Sequence, residues 1–194
     1  MKLKLIAYSE APCLQEIAHT LLKAPSQNIY ISRLADNATI SAINLTWKGE
    51  TFSLLFLRFE ISGSQHLHLA LKKENQLLGK IHSRYYPESN QFKMDTAPAF
   101  LKGVAEEKGE AIYVTKNARK EYRGIGTTLL KLQIEIAKEL RASSFLINLI
   151  NDPKVRDKFY IASGGFTYYS KTSVLKFIFP ETMSGWIEIE KRAN

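Results

Sequence analysis

Apolar and polar residues alternate with the two-residue period of a β-strand along much of the first half of the chain. The alternation covers residues 2–8, returns at 43–47 and continues at 55–61. It predicts a first strand at the N-terminus and, further on, a β-hairpin that turns at Lys48-Gly49-Glu50. Because residues 54–57 are apolar at every position, helices over the same stretch remain an alternative.

A helix and further strands are predicted on either side of this hairpin. Apolar residues recur at helical spacing over residues 14–22, and Ser9 and Pro12 fit the start of that helix. Residues 28–34 are rich in β-forming side chains and predict another strand. Residues 66–86 predict an antiparallel strand pair.

Residues 111–141 have the clearest pattern of secondary-structure signals in the chain. They follow residues 87–108, where such signals are weakest. A short run of β-formers leads through a polar, basic loop to Arg123-Gly124-Ile125-Gly126. An amphipathic helix is then predicted from about Thr127 to residue 141. Its apolar residues cover roughly 200° of the circumference, so we expect the helix to be packed against a sheet.

Residues 145–150 form a nearly unbroken apolar run, which is typical of a strand buried on both faces. Strand, helix and strand in this order predict a βαβ unit whose two strands are parallel. A short helix should follow, with Asp152 as its N-cap and Gly164-Gly165 at its end. Residues 166–169 and 173–179 then predict an antiparallel strand pair.

The glycine turn at 123–126 has the chemistry of a phosphate site. Glycine permits a sharp turn and leaves room for a ligand, and the N–H groups of the first helical turn point outward at the positive end of the helix dipole. Arg119, Lys120 and Arg123 add positive charge. The chain lacks both the P-loop motif and the complete G-x-G-x-x-G dinucleotide motif. A simple chain reversal that binds nothing remains an open alternative.

The charge of the chain narrows the classes of partner. The formal net charge is +8, which suits nucleic acid, an acidic lipid surface or a phosphate-rich cofactor. The basic residues are scattered along the chain, so we do not expect a dedicated nucleic-acid-binding arm.

Cysteine and histidine usage does not favour a metal site. Cys13 is the only cysteine, which excludes an internal disulfide and a cysteine-based zinc site. His66, His68 and His82 have no acidic cluster near them in the sequence, so we expect surface or core-edge residues and no bound metal.

The length of 194 residues fits one main domain. We expect its core at 63–194, with residues 1–62 as either an extension or the first elements of the same domain. The apolar run at the N-terminus is too short for a signal peptide, and no stretch reaches the roughly 18 consecutive apolar residues of a membrane span. The expectation is a soluble cytoplasmic protein without a membrane partner.

Residues 111–170 resemble the acyl-CoA-binding core of the GNAT superfamily of N-acyltransferases. That family carries a strand, an R/Q-x-x-G-x-G/A turn, a helix, a buried strand, and a short helix with a tyrosine before Gly-Phe. The matching turn here is Glu121-Tyr122-Arg123-Gly124-Ile125-Gly126, and the matching buried strand is 145–150. The last helix would lead through Tyr160 to Gly165-Phe166.

The resemblance extends more weakly over the strand pair at 66–86 and implies an α/β (α+β) fold. The expected sheet is mixed and mostly antiparallel, with a central parallel βαβ unit and flanking helices. The implied reaction transfers an acyl group, most often acetyl, from acetyl-CoA or another acyl-CoA to a primary amine. The acceptor, whether small molecule, peptide or protein, is not identified by the sequence, and a homodimer is compatible with it.

The resemblance also implies how the cofactor binds. Its pyrophosphate would lie on the N–H groups of residues 122–127, and its pantetheine arm would lie along the end of the preceding strand as an extra strand. The implied cofactor-binding residues are Val114, Thr115, Arg119, Glu121, Tyr122, Arg123, Gly124, Ile125, Gly126, Thr127 and Asn151. Asn151 would bind the pantetheine amide or cap its own helix, and both roles remain open.

Tyr160 is the implied catalytic acid, whose hydroxyl would protonate the departing CoA thiolate. A packing role for the same ring is the alternative. The base is not identified, although Glu106, Glu107 and Glu110 precede the central strand.

The chain departs from the family pattern in three places. Glu121 stands where the family carries Arg or Gln, the doubled Gly164-Gly165 lengthens the spacing from Tyr160 to Phe166 by one residue, and the first sixty residues match poorly. A non-catalytic CoA-binding regulatory module is therefore an alternative function. A basic nucleic-acid-binding protein is a further one, although the chain lacks the aromatic and basic strand pattern that would favour it.

Overall fold

The structure is a computed structural model that describes residues 2–10, 13–28, 38–94, 112–148, 166–169, 174–177 and 189–192. Its helices are α1 (Leu14–Leu22), α2 (Lys116–Glu121) and α3 (Ile125–Glu139). Its strands are β1 (Lys2–Glu10), β2 (Gln27–Asn28), β3 (Thr39–Trp47), β4 (Glu50–Ile61), β5 (Ser64–Lys73), β6 (Gln76–Tyr86), β7 (Gln91–Met94), β8 (Ile112–Val114), β9 (Tyr122–Arg123), β10 (Ser144–Asn148), β11 (Phe166–Tyr169), β12 (Val174–Phe177) and β13 (Glu190–Lys191).

One large sheet contains most of these strands. Its order is β1-β3-β4-β5-β6-β7-β10-β12-β11, with β2 paired to β4 and β8 paired to β6. Three of its pairs are parallel, namely β1–β3, β2–β4 and β7–β10, and its other pairs are antiparallel. The predicted class is confirmed: an α+β fold with a mixed, mostly antiparallel sheet and flanking helices.

The period-two pattern located most of the strands correctly. The predicted hairpin is β3–β4, and its turn residues Lys48 and Gly49 have the positive φ values of 50° and 79° that a tight hairpin turn uses. The helical alternative for 54–57 is wrong, because residues 54–56 pair with β3 on one side and residues 54–57 pair with β5 on the other. The antiparallel pairs β5–β6 and β11–β12 are also confirmed.

Four local predictions need correction or lie beyond the described residues. Helix α1 begins after Cys13 and not at Ser9, which is part of β1. The loop predicted before the glycine turn contains helix α2, because the Thr115 hydroxyl accepts the Ala118 N–H at 3.2 Å and caps that turn. The weakly patterned region contains β7. The strand predicted at 28–34 lies outside the described residues beyond Asn28.

The main hydrophobic core lies between one face of the sheet and the two helices α1 and α3. Alternate residues of the strands supply its sheet side, as the period of two predicts. Helix α3 is buried around most of its circumference, in agreement with its broad apolar face. The largest fully buried side chains of this core include Phe52, Phe56, Phe92 and Phe145, which the strands supply.

The opposite face of the sheet carries a second, smaller cluster with a different composition. Ala38, Leu57 and Phe59 are its buried apolar members. The imidazoles of His66, His68 and His82 lie on the same face and are 5%, 5% and 0% exposed. The three histidines are therefore buried in the sheet and not surface residues, because alternation along β5 and β6 places them opposite the helices.

Gly79 permits the close approach of α3 to the sheet, and Gly79→Ala should lower the free energy of unfolding by about 1–3 kcal/mol. A Cβ atom here would lie 2.9 Å from the Tyr113 carbonyl oxygen, 3.0 Å from Ile125 Cγ2 and 3.2 Å from Leu129 Cδ1. The backbone oxygen cannot move aside without disturbing the β6–β8 pair. Urea denaturation measures the change.

Gly49→Asn is the matched control for this substitution. No atom lies within 4 Å of a Cβ built at Gly49, and asparagine tolerates its φ of 79°. We expect Gly49→Asn to lower the free energy of unfolding less than Gly79→Ala does. An equal decrease for the two variants would contradict the packing explanation.

Candidate functional site

An interruption in one strand of the sheet opens the candidate site. β7 and β8 both run antiparallel to β6, with Met94 opposite Ser83 and Ile112 opposite Ile81. They therefore follow one another along the same edge of β6. β10 pairs with β7, and no pairing with β8 is seen among the residues that the structure describes. The predicted parallel direction of the βαβ strands is confirmed, but the described parts of the two strands are not direct neighbours.

The outer edge of β8 has no strand beside it among the described residues. The Thr115 N–H donates to the Leu78 carbonyl at 3.0 Å, so the hydrogen-bonding groups of Thr115 face β6. Alternate residues of an antiparallel strand face opposite sides. The N–H and C=O of Val114, which lies opposite Gly79, therefore face the open edge. An extended ligand could form strand-like hydrogen bonds there.

The N-terminus of α3 lies next to this edge. Gly124 is its N-cap with a φ of 85°, a left-handed conformation that favours glycine, and its carbonyl accepts the Thr128 N–H at 2.9 Å. The first-turn N–H groups of Ile125, Gly126 and Thr127 have no acceptor within the helix. No side chain caps the helix from the N-cap position. The helix thus starts two residues earlier than the sequence predicted.

The contacts around Gly79 show how close the two features are. The Tyr113 carbonyl oxygen of β8 and the Ile125 side chain of α3 both lie about 3 Å from the Cβ position of Gly79. The open edge at Val114 and the N-terminus of α3 are therefore neighbours on the same end of β6. The structure brings together seven of the residues predicted to bind the cofactor: Val114, Thr115, Tyr122, Gly124, Ile125, Gly126 and Thr127.

Several predicted side chains have other partners. The Thr115 hydroxyl caps α2 and also donates to the Leu77 carbonyl at 3.3 Å. The side chains of Arg119 and Glu121 belong to exposed residues of α2, and the Glu121 carbonyl accepts the Arg192 N–H at 2.7 Å.

The side chain of Tyr122 is structural. It is 2% exposed, packs edge-on against Phe52 and accepts a hydrogen bond from Lys73 Nζ at 3.0 Å. Lys73 also contacts Glu50 at 2.9 Å. The hydrogen bonds with Tyr122 and then with Glu50 raise the pKa of Lys73, so this lysine stays charged and is not a catalytic base.

Arg123 has a partner that the sequence reading missed. Its guanidinium forms an ion pair with Glu190 of β13, which pairs with β9. The alternation of Ile187 and Ile189 with Glu188 and Glu190 is a strand signal that could have indicated this element. Its pairing with β9 could not be inferred from that signal.

The histidine cluster packs ring against ring. His68 and His82 stack with ring centroids 4.1 Å apart, and His66 Nδ1 lies 3.3 Å from His82 Nε2. Burial lowers the pKa of His68, and His82, His66 and Lys80 lower it further by charge repulsion. Within the described ranges, no group of three or more His, Cys, Asp or Glu side chains has an arrangement that could hold a metal ion.

Two predicted site residues, Asn151 and Tyr160, lie outside the described residues. The same holds for Glu106, Glu107 and Glu110. Their roles stay predictions.

Comparisons with known proteins include a structural likeness. No family model matches the chain, and no curated protein matches its sequence. A solved structure of nourseothricin acetyltransferase aligns with 61% of this chain and 67% of its own, at 18% identity and a TM-score of 0.40. A TM-score of this size does not establish a common fold. Among the described helices, none is long and apolar enough to cross a bilayer.

Proposed function

We propose that this chain is an N-acyltransferase that moves an acetyl or other acyl group from acyl-CoA to a primary amine. One observation carries the proposal: the open edge of β8 at Val114 adjoins the N-terminus of α3. An acyl-CoA has an amide-containing extended arm joined to a pyrophosphate. The two neighbouring features match those two chemical parts.

The pantetheine arm would take the position of a missing strand. Its amides would exchange hydrogen bonds with the N–H and C=O of Val114, as in strand addition at a sheet edge. The pyrophosphate would accept hydrogen bonds from the N–H groups of Ile125, Gly126 and Thr127 at the positive end of the helix dipole. The net charge of +8 favours binding of such a polyanion.

The transfer reaction needs both a proton acceptor and a proton donor. A primary amine has a pKa near 10.4 and must lose a proton to attack the thioester carbonyl. The carbon–sulfur bond then breaks, and the CoA thiolate takes up a proton. We assign the second step to the Tyr160 hydroxyl, on the strength of its position in the family pattern. Asn151 is proposed as a ligand of the pantetheine amide.

A second candidate is a CoA-binding module without catalysis, because Glu121 stands where the family pattern has Arg or Gln. Measurement of acyl transfer to a panel of amines separates the two candidates, because only the enzyme releases CoA in an amine-dependent manner. Both candidates fit a cytoplasmic protein, and the single cysteine is compatible with a reducing compartment.

CoA should raise the melting temperature of the parent protein, and Gly126→Asp should weaken CoA binding about tenfold or more. A ligand that binds only the folded state stabilises it. The carboxylate at position 126 would fill the approach to the helix N-terminus and repel the pyrophosphate. The same charge favours the helix itself by about 0.3–1 kcal/mol, so the unliganded variant should remain folded. Calorimetry gives the affinity and a thermal scan gives the stability.

Gly126→Ala is the control for the charge. Gly126 is not among the described residues with positive φ, so alanine fits its helical conformation and should be neutral or slightly stabilising. If CoA leaves the melting temperature unchanged while single-stranded nucleic acid raises it, the acyltransferase proposal is wrong. If the Asp variant binds CoA as tightly as the parent, this turn does not bind the pyrophosphate.

A further inference from the structure

Arg123 lies next in sequence to the candidate phosphate site, and its side chain forms an ion pair with an internal carboxylate. Its Nε and a terminal nitrogen both contact one oxygen of Glu190. Arg123 directly precedes the N-cap Gly124, so its backbone lies next to the first turn of α3 and its long side chain extends from that point. An internal anion therefore holds the cation that lies nearest to this helix start in the sequence.

Glu190 is positioned by backbone contacts and does not depend on the ion pair for its place. β13 pairs with β9 in antiparallel register, Glu190 opposite Arg123. The Trp47 Nε1–H donates to the Ile189 carbonyl at 2.8 Å, and the Arg192 N–H donates to the Glu121 carbonyl at 2.7 Å. These bonds remain when the guanidinium turns away.

The ion pair itself is suited to exchange. The side chains of Arg123 and Glu190 are 68% and 39% exposed, and ion pairs between exposed side chains are weak. The fork of a guanidinium binds a carboxylate and a phosphate with similar geometry. Glu190 also contacts Lys48 Nζ at 3.3 Å, so it still has a cationic partner when Arg123 turns away. The hydrogen bonds with Arg123 and then Lys48 lower the pKa of Glu190, which keeps it ionised.

We infer that Glu190 competes with ligand phosphate for Arg123: the guanidinium exchanges the carboxylate for a phosphate oxygen when a polyphosphate ligand binds, and Glu190 thereby lowers the affinity for that ligand. The inference rests on the proposed function in taking the pyrophosphate of acyl-CoA as the physiological ligand. It assigns a regulatory role to the C-terminal strand, which tunes how tightly the site holds its cofactor.

Glu190→Gln tests the competition, with CoA and inorganic pyrophosphate as separate probes. Glutamine keeps the shape of the side chain and removes the charge. We expect both probes to bind about two- to fivefold more tightly than to the parent. The gain should disappear when Glu190→Gln is introduced into Arg123→Gln, because the exchanging cation is then absent. Isothermal titration at low salt measures the four affinities.

Glu88→Gln is the matched control, since it removes one exposed carboxylate in the turn before β7 and changes the net charge by the same amount. A gain in Glu190→Gln no larger than in Glu88→Gln, or a gain that persists without Arg123, overturns the inference. Pyrophosphate that does not bind the parent also overturns it. If pyrophosphate binds with the expected gain and CoA does not bind, the competition stands and the proposed acyl-CoA function falls.

Discussion

Below about pH 6.5, the free energy of unfolding should fall by about 1.4 kcal/mol for each pH unit. This is a tenfold change in the unfolding equilibrium constant per unit. The cause is His68, which is 5% exposed and stacks against His82. Burial and the neighbouring His82, His66 and Lys80 lower the pKa of His68 well below its ordinary 6.5. The unfolded chain therefore binds the proton first. The full stability is present above about pH 6.5 and is lost as the pH falls toward the folded pKa.

Urea denaturation at several pH values between about 5 and 7 measures this slope. In His68→Gln the slope should decrease by about 1.4 kcal/mol per pH unit. Carboxylates with lowered pKa values, such as Glu50 and Glu190, lose their contribution only below their ordinary pKa of 4.5, outside this window. His19→Gln is the control, because the His19 side chain is 59% exposed on α1. A flat stability profile, or a slope removed by His19→Gln, would show that the buried cluster is not responsible.

Tyr160→Phe should lower the turnover number for acyl transfer by about 100-fold while CoA affinity stays near that of the parent. The substitution keeps the ring and removes only the hydroxyl that would protonate the CoA thiolate. A general acid contributes in the transition state and not in the ground state, so kcat falls and binding does not. The measurement is amine-dependent release of CoA from acetyl-CoA, with CoA affinity determined by calorimetry.

Tyr85→Phe is the control for loss of a tyrosine hydroxyl elsewhere. The Tyr85 hydroxyl donates to Asn90 Oδ1 at 2.9 Å, on the side of the sheet that packs against the helical core, so its removal should affect stability and leave turnover unchanged. If Tyr160→Phe retains full turnover and loses only folding stability, Tyr160 is a packing residue and the acid is another group.

Local patterns in the sequence were sufficient for the elements whose residues signal their own conformation. Alternation placed β1, the β3–β4 hairpin and the β5–β6 pair, because side chains on successive strand residues face opposite sides. The broad apolar face of α3 and the glycine before it predicted a helix packed on the sheet and a turn at its start. The turn could be predicted from its glycine because Gly124 has a left-handed φ of 85°, which favours glycine in any context.

The arrangement of the candidate site was decided by contacts between residues far apart in the chain. The succession of β7 and β8, which leaves the edge at Val114 without a partner among the described strands, depends on both segments pairing with the same strand β6. The ion pair of Arg123 with Glu190 depends on a C-terminal strand reaching β9. Periodicity reports which face of an element is apolar, but not which other element covers it.

The histidines illustrate the same division. Their positions on β5 and β6 could be predicted from the sequence, yet their burial could not, because a histidine on one strand face is compatible with either solvent or core. Register decides the matter: His68 lies opposite His82 across the β5–β6 pair, which brings the rings into contact on the face away from the helices. The sequence alone determined β1, the β3–β4 hairpin, the β5–β6 pair, α3 and the glycine turn before it. Only the tertiary structure determined the open edge, the partner of Arg123 and the buried histidines, because each depends on pairing between distant segments.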